Sequence, residues 1–316
     1  MPSSDPNVVR IFTEICLPVF VLAGLGWMLD RVFSLQLRTL VKLNIYCFVP
    51  AFIFVAVLES PQAGWRPVQI IAFTLCVIAS MAALSWASAA LLGLASAGRR
   101  ALQLTTMFYN CGNFGLPLMA LAFPASGPAV QVFVVMTMNI ATFSLGTILV
   151  AGGGSAAGQT GTRRVWSAIA RQPSLYAIVA ALILRQLPYR VQDVPALWAP
   201  LQHLKGGLIA VALITLGVQL AQYRPAPLRG VLSWALLQRL AGGPLVAALL
   251  VLLFRFPPEI APILILGAGA PTAVNVALLA HEFDADVSLA STMVFYSTLC
   301  SMVTVTLTLW ILRLSA

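Results

Sequence analysis

Charged residues make up only 9% of the 316 residues, against 60% hydrophobic ones. So little polar side chain cannot coat a soluble globule of this size, so lipid must solvate much of the surface. Histidine is nearly missing, with His203 and His281 alone. His281-Glu282 lacks the second histidine of an H-E-x-x-H zinc helix, and no G-x-S-x-G nucleophile turn occurs. The chain therefore reads as a non-enzyme with no cofactor and no metal site. Cys16, Cys47, Cys76, Cys111 and Cys300 sit inside apolar runs without paired spacing, which excludes a disulfide framework and a zinc cluster. The net charge of +9 comes from 18 Lys and Arg residues, but these are scattered over short loops. With no basic stripe or arm, nucleic acid is excluded as a partner. The N-terminus MPSSDPNVVR has no basic start of a secretory signal.

What the sequence does have is long apolar runs, with a mean hydropathy of +0.95. They divide into ten expected spans, near 8–29, 37–58, 68–94, 101–123, 129–150, 166–187, 201–222, 229–253, 259–281 and 287–312. Each approaches the roughly 20 residues that cross a hydrocarbon core. Ten basic residues fall in the odd-numbered loops, from Arg31 and Arg99 to Arg224, and seven on the other side. The positive-inside bias then places both termini outside. The stretch AGGGSAAGQTGTRRV, 151–165, is the one low-complexity segment and reads as a flexible cytoplasmic linker. An offset of 158, half the chain length, carries the first five spans closely onto the last five. The fold class expected is all-α integral membrane, with 1–150 and 166–316 as two five-helix repeats. Because five is odd, the second repeat enters the bilayer inverted, an architecture of secondary transporters with the site near the midplane.

Two spans carry residues that oppose a plain helix. The fourth holds Asn110, Gly112, Asn113, Gly115 and Pro117 at its centre; the ninth holds Gly267, Gly269, Pro271 and Asn275 at its own. Gly frees the backbone and Pro removes a donor and clashes with the preceding turn. The offset sets Asn113 on Pro271 and Pro117 on Asn275, so the two breaks fall at equivalent places. Unwound backbone at that depth needs protein or water around it. Half-helix N-termini there offer N–H groups and a positive dipole end to an anion, and Asn amides add neutral donors and acceptors. Asn44, ahead of Pro50 in the second span, and Asn139 in the fifth are further candidate lining residues. Gln219 reads as helix packing. Arg239, about ten residues into the eighth span, is a charge at a costly depth. It can hold a substrate carboxylate, replace a coupling cation, or cap carbonyls at a break. Glu14, four residues after Arg10, reads as an i,i+4 pair.

These motifs resemble the auxin efflux carrier family. N-C-G-N-F-G-L-P-L in the fourth span is similar to its N-x-G-x-x-G-[LI]-P-L, and A-P-T-A-V-N in the ninth to the bacterial P-T-A-x-N form. Y-C-F-V-P-A-F-I-F and L-I-A-V-A-L-I-T-L-G resemble the family's second and seventh spans. The resemblance implies a ten-helix fold like that of the bile-acid/sodium symporters. In it spans 1, 2, 6 and 7 form a scaffold, and spans 3–5 and 8–10 a unit that moves like an elevator within a homodimer. It also implies that Asn110 contacts a carboxylate, that Pro117 and Pro271 are crossover prolines flanked by Gly112, Gly115 and Gly269, and that the chain sits in a bacterial inner membrane with periplasmic termini. Ala210 stands where the family's seventh-span motif has Pro, and the third span lacks the plant exporters' acidic and Lys residues. The expected function is transport of a small organic anion, such as a dicarboxylate or an indole carboxylate. Sodium or proton coupling stays open, and a membrane sensor or scaffold is the alternative from another class.

Overall fold

The computed structural model describes residues 7–60, 66–150, 170, 172–188, 190–228, 230–282 and 284–314. The expected linker 151–165 lies outside them. In chain order the helices are α1 (Val8–Phe33), α2 (Leu37–Glu59), α3 (Pro67–Leu91), α4 (Ser96–Met107), α5 (Gly115–Ala122), α6 (Gly127–Val150), α7 (Pro173–Leu184), α8 (Pro195–Gln222), α9 (Gly230–Phe254), α10 (Ala261–Ala268), α11 (Asn275–Glu282) and α12 (Val287–Leu314). The described residues are 82% helical, with no strand among them. A helix satisfies its own backbone, which hydrocarbon demands. Among the described residues, six helices, α1, α2, α3, α8, α9 and α12, are long and apolar enough to cross a bilayer; α6 and α7 contribute shorter apolar stretches.

Helix ends differ from the expected ones for local reasons. α1 runs on to Phe33, past the expected end near 29, and Arg31 lies over the Trp27 ring, 5.2 Å from its centroid. The chain turns only at Ser34, in the left-handed region with φ 50°. α8 starts at Pro195 instead of 201, with proline at a first-turn position where no amide donor is needed. Three helices contain one wide π-type turn, at Phe12–Cys16, Asn44–Phe48 and Gln238–Gly242. Each lies just ahead of a proline: Pro18, Pro50 and Pro244. A proline has no N–H for the carbonyl four residues back, and the widened turn absorbs the mismatch.

α8 packs along α1 and α2, and α7 along α2. α3 packs on α4, α6 and α9, α9 on α10, and α12 on α4 and α11. The α1–α8 contact is backbone to backbone. A Cβ on Gly26 would stand 2.1 Å from the Ile214 carbonyl oxygen, and one on Gly217 only 1.8 Å from that of Ala23. Lys205 and Gln202 on α8 both reach Glu59 at the end of α2, and Arg185 donates to the carbonyls of Val57 and Ser60 at 2.6 Å. Buried hydroxyls are mostly absorbed within their own helices: Thr74, Thr106, Thr137 and Thr298 each donate to the carbonyl four residues back. Leu245, Leu249, Leu252 and Leu253 stand exposed along α9, a face that only lipid solvates well. Glu14 pairs with Arg10 at 2.8 Å on an exposed surface.

Candidate functional site at the paired helix breaks

α4 ends at Met107, and Phe108 is extended. After a turn over 111–114 the helix restarts as α5 at Gly115. Pro117 occupies the first turn of α5, where a missing donor does no harm. Gln131 of α6 holds the turn by donating from Nε2 to the Cys111 carbonyl at 2.9 Å. A Cβ on Gly115 would lie 2.5 Å from Gln131 Nε2 and displace that side chain. On the other side α10 ends at Ala268 and α11 begins at Asn275. The two interruptions run antiparallel and pair. Asn110 N–H donates to the Pro271 carbonyl at 2.7 Å and Ala273 N–H to that of Phe108 at 2.9 Å, around a bridge between Tyr109 and Thr272. Thr272 adds a bond from Oγ1 to the Thr105 carbonyl at 2.8 Å, and its N–H donates to Ser297 Oγ at 3.0 Å. Several amides that unwinding strips of helix partners are thereby satisfied inside the protein. In sequence the helix ends Met107 and Ala268 are 161 apart, and the restarts Gly115 and Asn275 are 160 apart. That is two to three residues more than the half-length offset of 158.

Beside this pairing lies a cavity of about 530 Å³. Asn44, Asn110, Gly112, Asn113, Asn139 and Asn275 all line it, so asparagines from four expected spans converge on one space. Pro117, Pro271, Arg239, Gly115 and Gly269 are not among its lining residues. The two prolines are buried behind it, and Arg239 lies beyond the Tyr109 ring. Tyr46, Thr142, Gln172, Ser174, Gln219 and Tyr223 line the cavity without having been anticipated. Gln219, read as a packing residue, turns its amide there instead. A lone polar residue in an apolar helix signals only that it avoids lipid; no sequence pattern says whether it meets a helix or a cavity.

The polar groups are neutral, and some are unsatisfied. Asn44 Nδ2 donates to Asn113 Oδ1 at 2.8 Å, and Asn139 Nδ2 to Gln172 Oε1 at 3.3 Å. Asn110 Oδ1 accepts from Phe114 N–H at 3.4 Å, ahead of α5. Asn110 Nδ2, Asn44 Oδ1 and Gln219 Oε1 are buried with no partner. Buried amide atoms are seldom left so without a reason. The backbone N–H groups of Gly112, Asn113, Val274 and Asn275 also donate to no described residue. They precede or open α5 and α11, where unpaired amides and the helix dipole favour negative charge. Among the described residues, no charged one lines the cavity.

Long apolar helices, with a cavity beside two interrupted ones, define a helical integral membrane protein. Residues 11–311 match the family model described as membrane transport protein, that of the auxin efflux carriers. The chain belongs to that family and is a membrane transporter; the family is not one of enzymes. No match is found among the curated proteins.

Proposed function

We propose that the cavity is the substrate site of a secondary transporter for a small organic anion carrying one carboxylate on an apolar or aromatic body. The observation that carries this reading is the unpartnered Asn110 Nδ2 beside the free amides at the starts of α5 and α11. A carboxylate accepts from such donors, and hydrogen bonds to a charged group are the stronger kind. Val135, Met138 and Leu278 supply an apolar wall for the rest of the molecule. The neutral lining, among the described residues, favours an indole-type monocarboxylate over a dicarboxylate. A second carboxylate would be desolvated without a counter-charge, at a cost of several kcal/mol.

Taking α4 with α5 and α10 with α11 as single spans gives ten, arranged as inverted repeats 1–150 and 166–316. The packing supports a scaffold of α1, α2, α7 and α8 and a mobile unit of α3–α6 and α9–α12. Two contacts that join these groups, Asn44 to Asn113 and Asn139 to Gln172, flank the cavity and break when the mobile unit slides as an elevator. The transporter works as a homodimer in a bacterial inner membrane with periplasmic termini.

A thermal-unfolding screen of the purified protein against carboxylic acids tests the substrate class. Indole-3-acetate and other aromatic monocarboxylates are expected to raise the melting temperature in a saturable way, while succinate and malonate leave it unchanged. Stabilisation by dicarboxylates alone refutes the one-carboxylate reading.

A further inference from the structure

Arg239 is fully buried, and among the described residues it forms no ion pair with an acidic side chain. It projects from the wide turn Gln238–Gly242 of α9. Its Nη1 donates to the Thr106 carbonyl at 2.5 Å and its Nη2 to the Ala268 carbonyl. Both are carbonyls that the breaks deprive of their helical donors. In an unbroken helix Thr106 would receive Asn110 N–H, which goes instead to Pro271; Ala268 would receive Thr272 N–H, which goes instead to Ser297. Each carbonyl ends a helix, where the macrodipole concentrates negative partial charge. The Tyr109 ring adds its negative face, with its centroid 5.1 Å from Cζ. The seat is shaped for a guanidinium, because a Cβ on Gly243 would stand 2.1 Å from Arg239 Nη2 and 2.5 Å from the Ala268 oxygen.

Carbonyls at half-helix C-termini in broken membrane helices are where transporters coordinate alkali cations. We propose that Arg239 is a tethered substitute for such a cation: its guanidinium permanently fills the seat between the two breaks, so that anion binding and transport by this chain need no sodium. Arg239 acts as a positioning residue. It ties the end of α4 to the end of α10 and thereby fixes the amides that open α5 and α11 toward the cavity. Its charge, screened from the cavity by Tyr109, also favours an anion there without touching it. The effect on the anion rests on the substrate reading above; the filled seat stands on the geometry alone.

The test compares wild type and Arg239→Ala in sodium chloride and in choline chloride, reading both melting temperature and affinity for indole-3-acetate. Wild type is expected to give the same melting temperature and the same affinity, within twofold, in either salt. Arg239→Ala empties the seat. In choline its affinity is expected to fall at least tenfold, and sodium or methylguanidinium should restore much of it. This acquired sodium dependence is a response that mere loss of packing would not produce. A wild-type melting temperature that rises saturably with sodium overturns the proposal, as does Arg239→Ala binding the anion in choline as tightly as wild type. If Arg239→Ala does not fold, the wild-type salt comparison decides alone. If wild type binds no carboxylate in either salt, the substrate reading fails, and the melting comparison still decides the seat.

Discussion

Asn110→Asp is expected to abolish anion binding while leaving the protein folded. The substitution is nearly isosteric, and an aspartate Oδ1 still accepts from Phe114 N–H as the asparagine does, so the start of α5 keeps its local support. What changes is the other atom. The unpartnered Nδ2 donor becomes a second carboxylate oxygen facing the substrate's own. Losing a hydrogen bond to a charged group removes about 1.5–3 kcal/mol, and like-charge repulsion adds to it. At 1.4 kcal/mol per decade, affinity for a monocarboxylate should drop by well over a hundredfold. Asn110→Ala removes the donor without the repulsion and should fall between ten- and a hundredfold. Calorimetric titration of each variant, with thermal unfolding as a check on folding, separates the two effects. Equal affinities for wild type and Asn110→Asp would remove Asn110 from the site.

Gly217→Val is expected to be the most damaging single change to the fold. The Gly217 Cα lies so close to α1 that a Cβ would overlap the Ala23 carbonyl oxygen at 1.8 Å and crowd Trp27 N at 2.7 Å. Backbone cannot rotate out of the way as a side chain can, so α1 and α8 must separate along their whole contact. Small residues at helix interfaces in membranes serve this close approach. Overpacking typically destabilises by about 1–3 kcal/mol, and this contact belongs at the upper end. Gly206, on the same helix, has nothing within 4 Å of a Cβ. Gly206→Ala should therefore be neutral or slightly stabilising, since alanine is the better helix former by up to about 1 kcal/mol. Melting temperatures of the two variants in detergent check the contrast. Similar losses in both would mean that helix propensity, not the close contact, sets the outcome.

The sequence carried the parts of this molecule that depend on composition and on backbone chemistry. Lipid solvation followed from hydropathy, and the interruptions of α4/α5 and α10/α11 followed from Asn, Gly and Pro where a helix needs none of them. That Asn44, Asn110, Asn113, Asn139 and Asn275 avoid lipid was legible, because an amide in an apolar run must find a polar neighbour; the single cavity that they share was not. Nor were the residues that complete it. Gln172, Gln219 and Tyr223 reach it from α8 and the start of α7, both of which pack on α2, and no spacing within one helix encodes that. The register of the breaks was also hidden: Tyr109 pairs with Thr272, a relation set by three-dimensional crossing and by connections of unequal length. Arg239 stood out as a charge at depth, with carbonyl capping among its readings. Only the structure shows that it serves two carbonyls orphaned by the breaks and lies outside the cavity. The glycines divide in the same way. Gly217 and Gly243 are obligatory because backbone carbonyls approach them, which a single sequence cannot display.

The most direct test of the paired breaks as the transport site is exchange of labelled indole-3-acetate in liposomes containing either wild type or Asn110→Asp. Saturable exchange by wild type, and none by a variant that melts at the same temperature, is the result this account predicts. Exchange by Asn110→Asp at the wild-type rate, or wild-type binding of the anion without any exchange, would contradict it.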